Sequence, residues 1–191
     1  VKPLSMAQIL VEVSTQYEAA KGIAFLEGKC REYKGVNEAS ALLKTVIAHM
    51  HVVASQYDKA KEILSEVQTV LDTAIGIDPS VYSAFYRVLS IYHKNQVRAG
   101  EFYRAGLLYL AYTPVEGLSL QVRRDLARDL GIAGLVAEDV YWLGELLSHT
   151  LITSLEKDQE IKWLVELMHT VNSGKIEEWQ QLKTRYAQQI S

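Results

Sequence analysis

Leu130-Gly131-Ile132-Ala133-Gly134-Leu135-Val136-Ala137-Glu138-Asp139-Val140-Tyr141-Trp142-Leu143-Gly144-Glu145-Leu146-Leu147-Ser148-His149 reads as the end of one helix, a tight acidic turn at Glu138-Asp139 and the start of a second helix. Small residues at Gly131, Gly134 and Ala137 keep one face of the first helix free of bulk, and Gly144 does the same on the second. Each glycine in a helix interior costs ~1 kcal/mol relative to alanine, so several together call for a compensating contact. Close backbone approach between two packed helices is the simplest one. Leu135, Val140, Tyr141, Trp142, Leu146 and Leu147 around the glycines argue for burial over flexibility. The stretch therefore predicts a packed helical hairpin.

The same style of sequence runs outward in both directions. Pro3 suits a first helical turn, and Ile9, Leu10, Val13 and Tyr17 follow it at helical spacing. A second helix is expected over 23–33, ending near Gly35. Asn37 is a candidate cap for a third, whose apolar stripe is Leu42, Leu43, Val46, Ile47 and Met50. The pattern restarts near Ser55-Gln56 with Tyr57, Ala60, Ile63, Leu64, Val67 and Leu71. Asp78-Pro79 is a cap followed by proline at the first helical position, and the helix it opens carries Tyr82, Phe85, Tyr86, Leu89 and Tyr92. Gly100 is expected to separate this helix from one holding Phe102, Ala105, Leu108, Leu110 and Tyr112, which Thr113-Pro114 stops. Ser119 is a candidate cap for a long helix reaching Ala137. A final pair is expected over 156–171 and 175–189, turning at Asn172-Ser173-Gly174. No strict apolar–polar alternation lasts more than a few residues, so almost no sheet is expected. Short connections between antiparallel segments predict an all-α fold of stacked helical hairpins.

Aligning four helix starts exposes a degenerate repeat. Tyr57-x-x-Ala60, Phe102-x-x-Ala105, Tyr141-x-x-Gly144 and Ile176-x-x-Trp179 each follow a polar or acidic turn, at intervals of 45, 39 and 35 residues. A drifting period of this kind is the mark of helical repeats. The expected packing role is that the first, bulky residue anchors in the preceding helix. The fourth, small in three copies, lets the two helices approach. Trp179 departs from the small-residue rule, which suits a terminal unit. Any amphipathic helix also places apolar residues three and four apart.

Composition excludes several functions. Half of the 191 residues are apolar, enough for a real core. A net charge of -3 gives no global field for nucleic acid or anionic membrane. The longest apolar runs fall far short of the ~20 residues that span a bilayer, and there is no signal-peptide pattern. The single cysteine, Cys30, cannot form an internal disulfide, which suits a reducing compartment. The chain opens on Val1 and so reads as part of a longer protein.

No catalytic, cofactor-binding or metal-ligating residue is expected. His49 and His51 are two apart and do not share a helix face. None of the five histidines, completed by His93, His149 and His169, lies in a recognised metal-binding motif. There is no phosphate-cradling glycine loop, dinucleotide fingerprint or nucleophile elbow. Glu138-Asp139 and Glu177-Glu178 sit at expected helix starts, where the macrodipole favours negative charge. Arg123, Arg124 and Arg128 interleave with Asp125 and Asp129, the pattern of a solvated face with local ion pairs. The eleven tyrosines fall mostly on apolar stripes and do not alternate with basic residues as base-stacking platforms do.

Two segments carry a family resemblance. Gly131-Ile132-Ala133-Gly134-Leu135 through Gly144-Glu145-Leu146-Leu147, and Val171-Asn172-Ser173-Gly174 through Gln181-Leu182-Lys183, resemble stretches of a PCI-class subunit of the lid of the 26S proteasome's 19S regulatory particle. Residues 103–118 and 163–167 also fit. The similarity runs over 78–189 and is thinner in the first third. Ala137 stands where a glycine is usual, Thr150 where proline is frequent, and Trp179 where phenylalanine is found.

The resemblance implies a right-handed α-solenoid, with residues 1–191 one helical-repeat domain. Its parts would be N-terminal helices over 1–55 and degenerate hairpins over 56–112 and 119–189, leading into a PCI domain whose winged helix lies beyond this stretch. The apolar stripe of Trp179, Leu182, Tyr186 and Ile190 would then want a covering partner. The implied role is a non-catalytic scaffold in lid assembly and ubiquitin-dependent degradation. It would be partnered by other lid PCI subunits and neighbouring regulatory-particle subunits, in cytoplasm and nucleus. No cofactor, nucleic acid or membrane is implied, and this stretch alone would be monomeric. The alternatives are a PCI subunit of the signalosome or the translation-initiation scaffold, or a tetratricopeptide-like module with a groove that clamps a peptide carboxylate.

Overall fold

Helix starts follow the chain's own punctuation. In the computed structural model, which describes residues 2–33, 35 and 37–187 apart from the side chains of Ala19 and Ile176, Pro3 occupies the first turn of α1 (Pro3–Ser14). Then come α2 (Ala19–Glu32), α3 (Asn37–Val53) and α4 (Tyr57–Thr73). Asp78 caps α5 (Pro79–Asn95), its carboxylate accepting from the Ser80 N–H at 2.8 Å. Next is α6 (Ala99–Ala111), which ends before Thr113-Pro114. After a single 3-10 turn at Val115–Gly117, Ser119 caps α7 (Leu120–Val136) by accepting from the Val122 N–H at 3.4 Å. The remainder is α8 (Gly144–Ser148), α9 (Thr150–Thr153), α10 (Lys162–Ser173) and α11 (Ile176–Arg185). Among the described residues there is no strand, and the fold is all-α.

The chain forms two compact units, residues 1–98 with 108–113, and residues 99–107 with 114–191. In the first, α3 is the centre, packed on α1, α2, α4 and α5. Its apolar residues face two clusters. Ala39, Leu42, Leu43 and Ile47 join one cluster with Ala7 and Leu26. Ala41, Ala48 and Val52 join a second with Ala60, Val67, Val81 and Phe85. A helix with apolar residues on more than one face belongs inside, and the polar side left over carries Lys44, which pairs with Glu66.

Two turns in this unit share one construction. At the end of α3 the N–H of Gln56 bonds the His51 carbonyl at 2.8 Å and that of Ser55 bonds Val52 at 3.0 Å. At the end of α5 the N–H of Arg98 bonds His93 and that of Val97 bonds Lys94, each at 3.1 Å. This is the Schellman arrangement, with Ser55 (φ 58°) and Val97 (φ 55°) in the left-handed region where glycine is usual. The two turns stand 42 residues apart, from position 55 to position 97. Matching side-chain types pairs Tyr57 with Phe102, 45 residues on, whereas the turns pair Tyr57 with Ala99 and Ala60 with Phe102. The difference of three residues is close to one helical turn. Equivalent faces are therefore kept while the pairing slides.

Gly100 does not separate α5 from α6. The break is made by Val97 and Arg98, and Gly100 lies inside the first turn of α6. The reason for a glycine there is spatial: a Cβ would collide with the Asp139 carboxylate.

In the second unit the fully buried side chains include Leu130, Leu146, Leu151, Ile152, Leu155, Ile161, Leu164 and Met168. α10 packs on α7, α8 and α11, and α9 on α7. α10 begins at Lys162, six residues later than the expected start at position 156. The preceding turn is built by Asp158, whose carbonyl accepts from the Lys162 N–H at 2.9 Å and whose carboxylate accepts from the Glu160 N–H at 3.0 Å. That carboxylate also meets Arg124 at 2.7 Å, and Glu160 meets the same guanidinium at 2.7 Å. Arg124 therefore ties α7 to the turn before α10 instead of pairing with its neighbour Asp125. Its hydrogen bond holds the Asp158 carboxyl below the usual carboxylate range. α11 follows Gly174, a left-handed C-terminal cap at φ 69°. Of the stripe that needs covering, Leu182 is buried and Trp179 and Tyr186 are half-buried, while Ile190 lies outside the described residues.

Candidate interaction surface

The hairpin expected at 130–149 takes a different form. α7 ends at Val136, and no helix resumes until Gly144. Between them lies a seven-residue loop, 137–143, held at three points. Arg104 on α6 donates to the Asp139 carboxylate at 2.7 Å, which keeps that carboxyl below its ordinary range. The Leu143 N–H donates to the Asn172 side-chain oxygen at 2.9 Å. Leu143 itself is buried. These anchors come from helices far along the chain, so local helical periodicity does not predict them. α8 is then cut short at His149. That residue adopts an extended conformation, and its Nδ1 accepts from the Leu151 N–H at 3.1 Å, capping α9.

The glycines before the loop make close contacts. A Cβ on Gly134 would stand 2.6 Å from Leu143 Cδ2 and 2.9 Å from Tyr103 Cε2. One on Gly131 would stand 2.9 Å from Leu164 Cδ2 and 3.1 Å from Met168 Sδ. Gly106, which sequence spacing does not single out, meets Leu130 in the same way. The Cβ of Gly144 would collide with the Trp142 indole, so that glycine seats a residue of its own loop.

The remaining repeat positions are placed as follows. Ala60, Phe102 and Ala105 are buried. Tyr57 is half-buried, with its ring edge-on to Tyr92 at 6.4 Å between centroids. Trp179 is half-buried, and the side chain of Ile176 lies outside those described. Tyr141 corrects the expectation. It is 89% exposed and precedes the helix it was expected to open, because Asp139 and Leu143 pin the loop on either side of it. Trp142 is 67% exposed. Val136 and Ile132, one turn apart on α7, are also exposed. Behind the loop the Tyr103 hydroxyl is pushed up to about 12 by burial and by the charge of Glu145.

The chemistry available elsewhere is modest. Cys30 lines a groove of about 370 Å³ with Glu27, Arg31, Lys44, Ile47, Ile63 and Glu66, where Lys44 and Glu66 are already paired at 2.8 Å. Burial pushes the Cys30 thiol up, and a thiol held protonated is a poor nucleophile. Among the described residues no group of three His, Cys, Asp or Glu side chains could hold a metal ion, and no helix is long and apolar enough to cross a membrane. The arrangement is suited to contact: a fixed aromatic loop on a helical frame.

Comparison with known proteins gives the chain a family. The family described as PSD13 N-terminal repeats matches residues 1–168. The 26S proteasome non-ATPase regulatory subunit 13 homolog B of Arabidopsis thaliana is 37% identical over 185 residues, covering 94% of this chain and 48% of that protein. The subunit 13 of Dictyostelium discoideum is 33% identical over 193 aligned positions, covering 100% of this chain and 50% of its own length. The 26S proteasome regulatory subunit RPN9 of Saccharomyces cerevisiae is 29% identical over 142 residues, covering 74% of this chain and 36% of that protein. The chain thus spans about half the length of the first two relatives.

Proposed function

The chain belongs to the family of PSD13 N-terminal repeats, and from that premise we propose that it is the helical arm of a non-catalytic scaffold subunit in the lid of the 26S proteasome regulatory particle. It contributes to lid assembly and ubiquitin-dependent protein degradation through protein–protein contacts. The observation that carries this reading is the family match over residues 1–168, joined by relatives named as proteasome regulatory subunits. The all-helical architecture supports it, because stacked hairpins present long surfaces to partners. In this reading residues 1–191 form one right-handed helical-repeat region, and Tyr57, Ala60, Phe102, Ala105, Gly131, Gly134, Gly144, Ile176 and Trp179 are its packing positions. The partners are other lid PCI subunits and their neighbours, met in the cytoplasm and nucleus.

The test is purification of the full-length protein through a tag, with quantitative mass spectrometry of what accompanies it. Stoichiometric recovery of proteasome lid subunits is expected. Recovery of signalosome or translation-initiation subunits in their place would overturn the assignment. A parallel purification of residues 1–191 alone separates the arm's own contacts from those made by the rest of the protein.

A further inference from the structure

The loop 137–143 offers two large rings to solvent on a support that is already ordered. Tyr141 and Trp142 are exposed, while the adjoining Leu143 is buried and its N–H is held by Asn172. An ordered loop gives up little conformational freedom when a partner arrives. Trp and Tyr are also among the residue types that most often dominate an interface.

Charge says which partner these rings fit. From position 138 to 145 the chain carries three carboxylates, Glu138, Asp139 and Glu145, and neither lysine nor arginine. Arg104 reaches over from α6 and neutralises Asp139. Glu138 and Glu145 lie three residues before Tyr141 and three after Trp142, are exposed, and pair with no cation among the described residues. The faces of tyrosine and tryptophan are themselves electronegative and attract a guanidinium or ammonium within about 6 Å of the ring centre.

We infer that Tyr141 and Trp142, framed by Glu138 and Glu145, form the docking point for an arginine- or lysine-bearing segment of a neighbouring protein subunit. A basic side chain lies over the indole, and its charge is shared with the flanking carboxylates. Nucleic acid and anionic lipid carry the wrong sign for this surface. A second copy meeting it through the same loop would set carboxylate against carboxylate. The inference rests on the reading of the chain as a subunit of a larger assembly and names one contact through which it is held.

The test replaces Trp142 by the photo-crosslinking residue p-benzoylphenylalanine in the full-length tagged protein and irradiates the complex purified with it. A cross-link to an arginine- or lysine-containing segment of another subunit is expected. Trp142→Ala, and separately the pair Glu138→Lys with Glu145→Lys, are each expected to weaken retention of that same subunit by about tenfold or more. Both variants should keep the helical circular dichroism of the parent. A cross-link to a second copy of this chain, to its own residues or to a segment without a basic residue would overturn the inference, as would no cross-link at all. If the complex holds no proteasome subunit, the assignment of the assembly fails. A cross-link to a basic segment in that other assembly would still uphold the docking chemistry.

Discussion

Gly134→Ala sets two opposing effects against each other at one position. Alanine is favoured over glycine in a helix interior by ~1 kcal/mol, so substitution in α7 should stabilise if nothing else changed. The new methyl, however, would stand 2.6 Å from Leu143 Cδ2 and 2.9 Å from Tyr103 Cε2. Both neighbours are 3% exposed, so neither has open space to move into. Forcing extra volume into such a site costs roughly 1–3 kcal/mol. The net expectation is a loss of about 0–2 kcal/mol. Gly28 supplies the matched control: it lies inside α2, is exposed, and a Cβ there meets nothing within 4 Å. Gly28→Ala should therefore gain ~1 kcal/mol, or about 2–4 °C in Tm for a chain of this size. Thermal and urea denaturation followed by circular dichroism would compare the two variants with the parent. If Gly134→Ala stabilised as much as Gly28→Ala, close packing would not be the reason for glycine at 134.

Three further outcomes follow from the positive φ of Val97, the Asn172 bond to Leu143 and the Arg124–Asp158 pair. Val97→Gly should stabilise by up to about 1.5 kcal/mol: a residue with a Cβ at φ 55° carries a left-handed penalty of about 1–2 kcal/mol that glycine escapes, the freer unfolded chain gives back roughly 0.4–1 kcal/mol of it, and Val97 is 90% exposed with little packing to lose; a lowered urea midpoint would refute this. Asn172→Ala should remove about 1 kcal/mol by orphaning the Leu143 N–H, and hydrogen exchange at that amide should accelerate while exchange within α3 is unchanged. Asp158 has a folded-state pKa depressed below its ordinary 3.8 by Arg124. Its contribution to stability is therefore present above about pH 4 and lost as pH falls through the depressed value. Asp158→Asn should be less stable than the parent at pH 7, and the gap should close in a titration toward pH 2.

Where the chain signals its structure locally, the reading and the structure coincide. Asp78-Pro79, Ser119 and Asn172-Ser173-Gly174 each start, cap or turn a helix through bonds that span only a few residues. The all-α class follows from the same local signals. What local spacing does not carry is long-range fixing. Arg104 acts on Asp139 from 35 residues away, Asn172 on Leu143 from 29, and Arg124 on Asp158 from 34. Together they replace the expected helix before Gly144 with a loop and delay the start of α10. That is why Tyr141 reads as an anchor in the sequence and lies exposed in the structure. Gly100 misleads for a related reason. Its role is room for a distant carboxylate, while the turn it was expected to make is formed by a valine that no turn rule favours.

The central place of α3 has a consequence for synthesis on the ribosome. α1 and α2 precede it and cover part of its surface as it emerges, but its contacts with α4 and α5 wait for residues up to Asn95. At ~5–20 residues per second, the 42 residues from Val53 to Asn95 take about 2–8 s. Until α5 is made, the cover over Ala41, Ala48 and Val52 is incomplete. A nascent chain halted after α3 but before α5 has emerged from the exit tunnel therefore presents an apolar stripe to the chaperones that wait there, and one released complete does not.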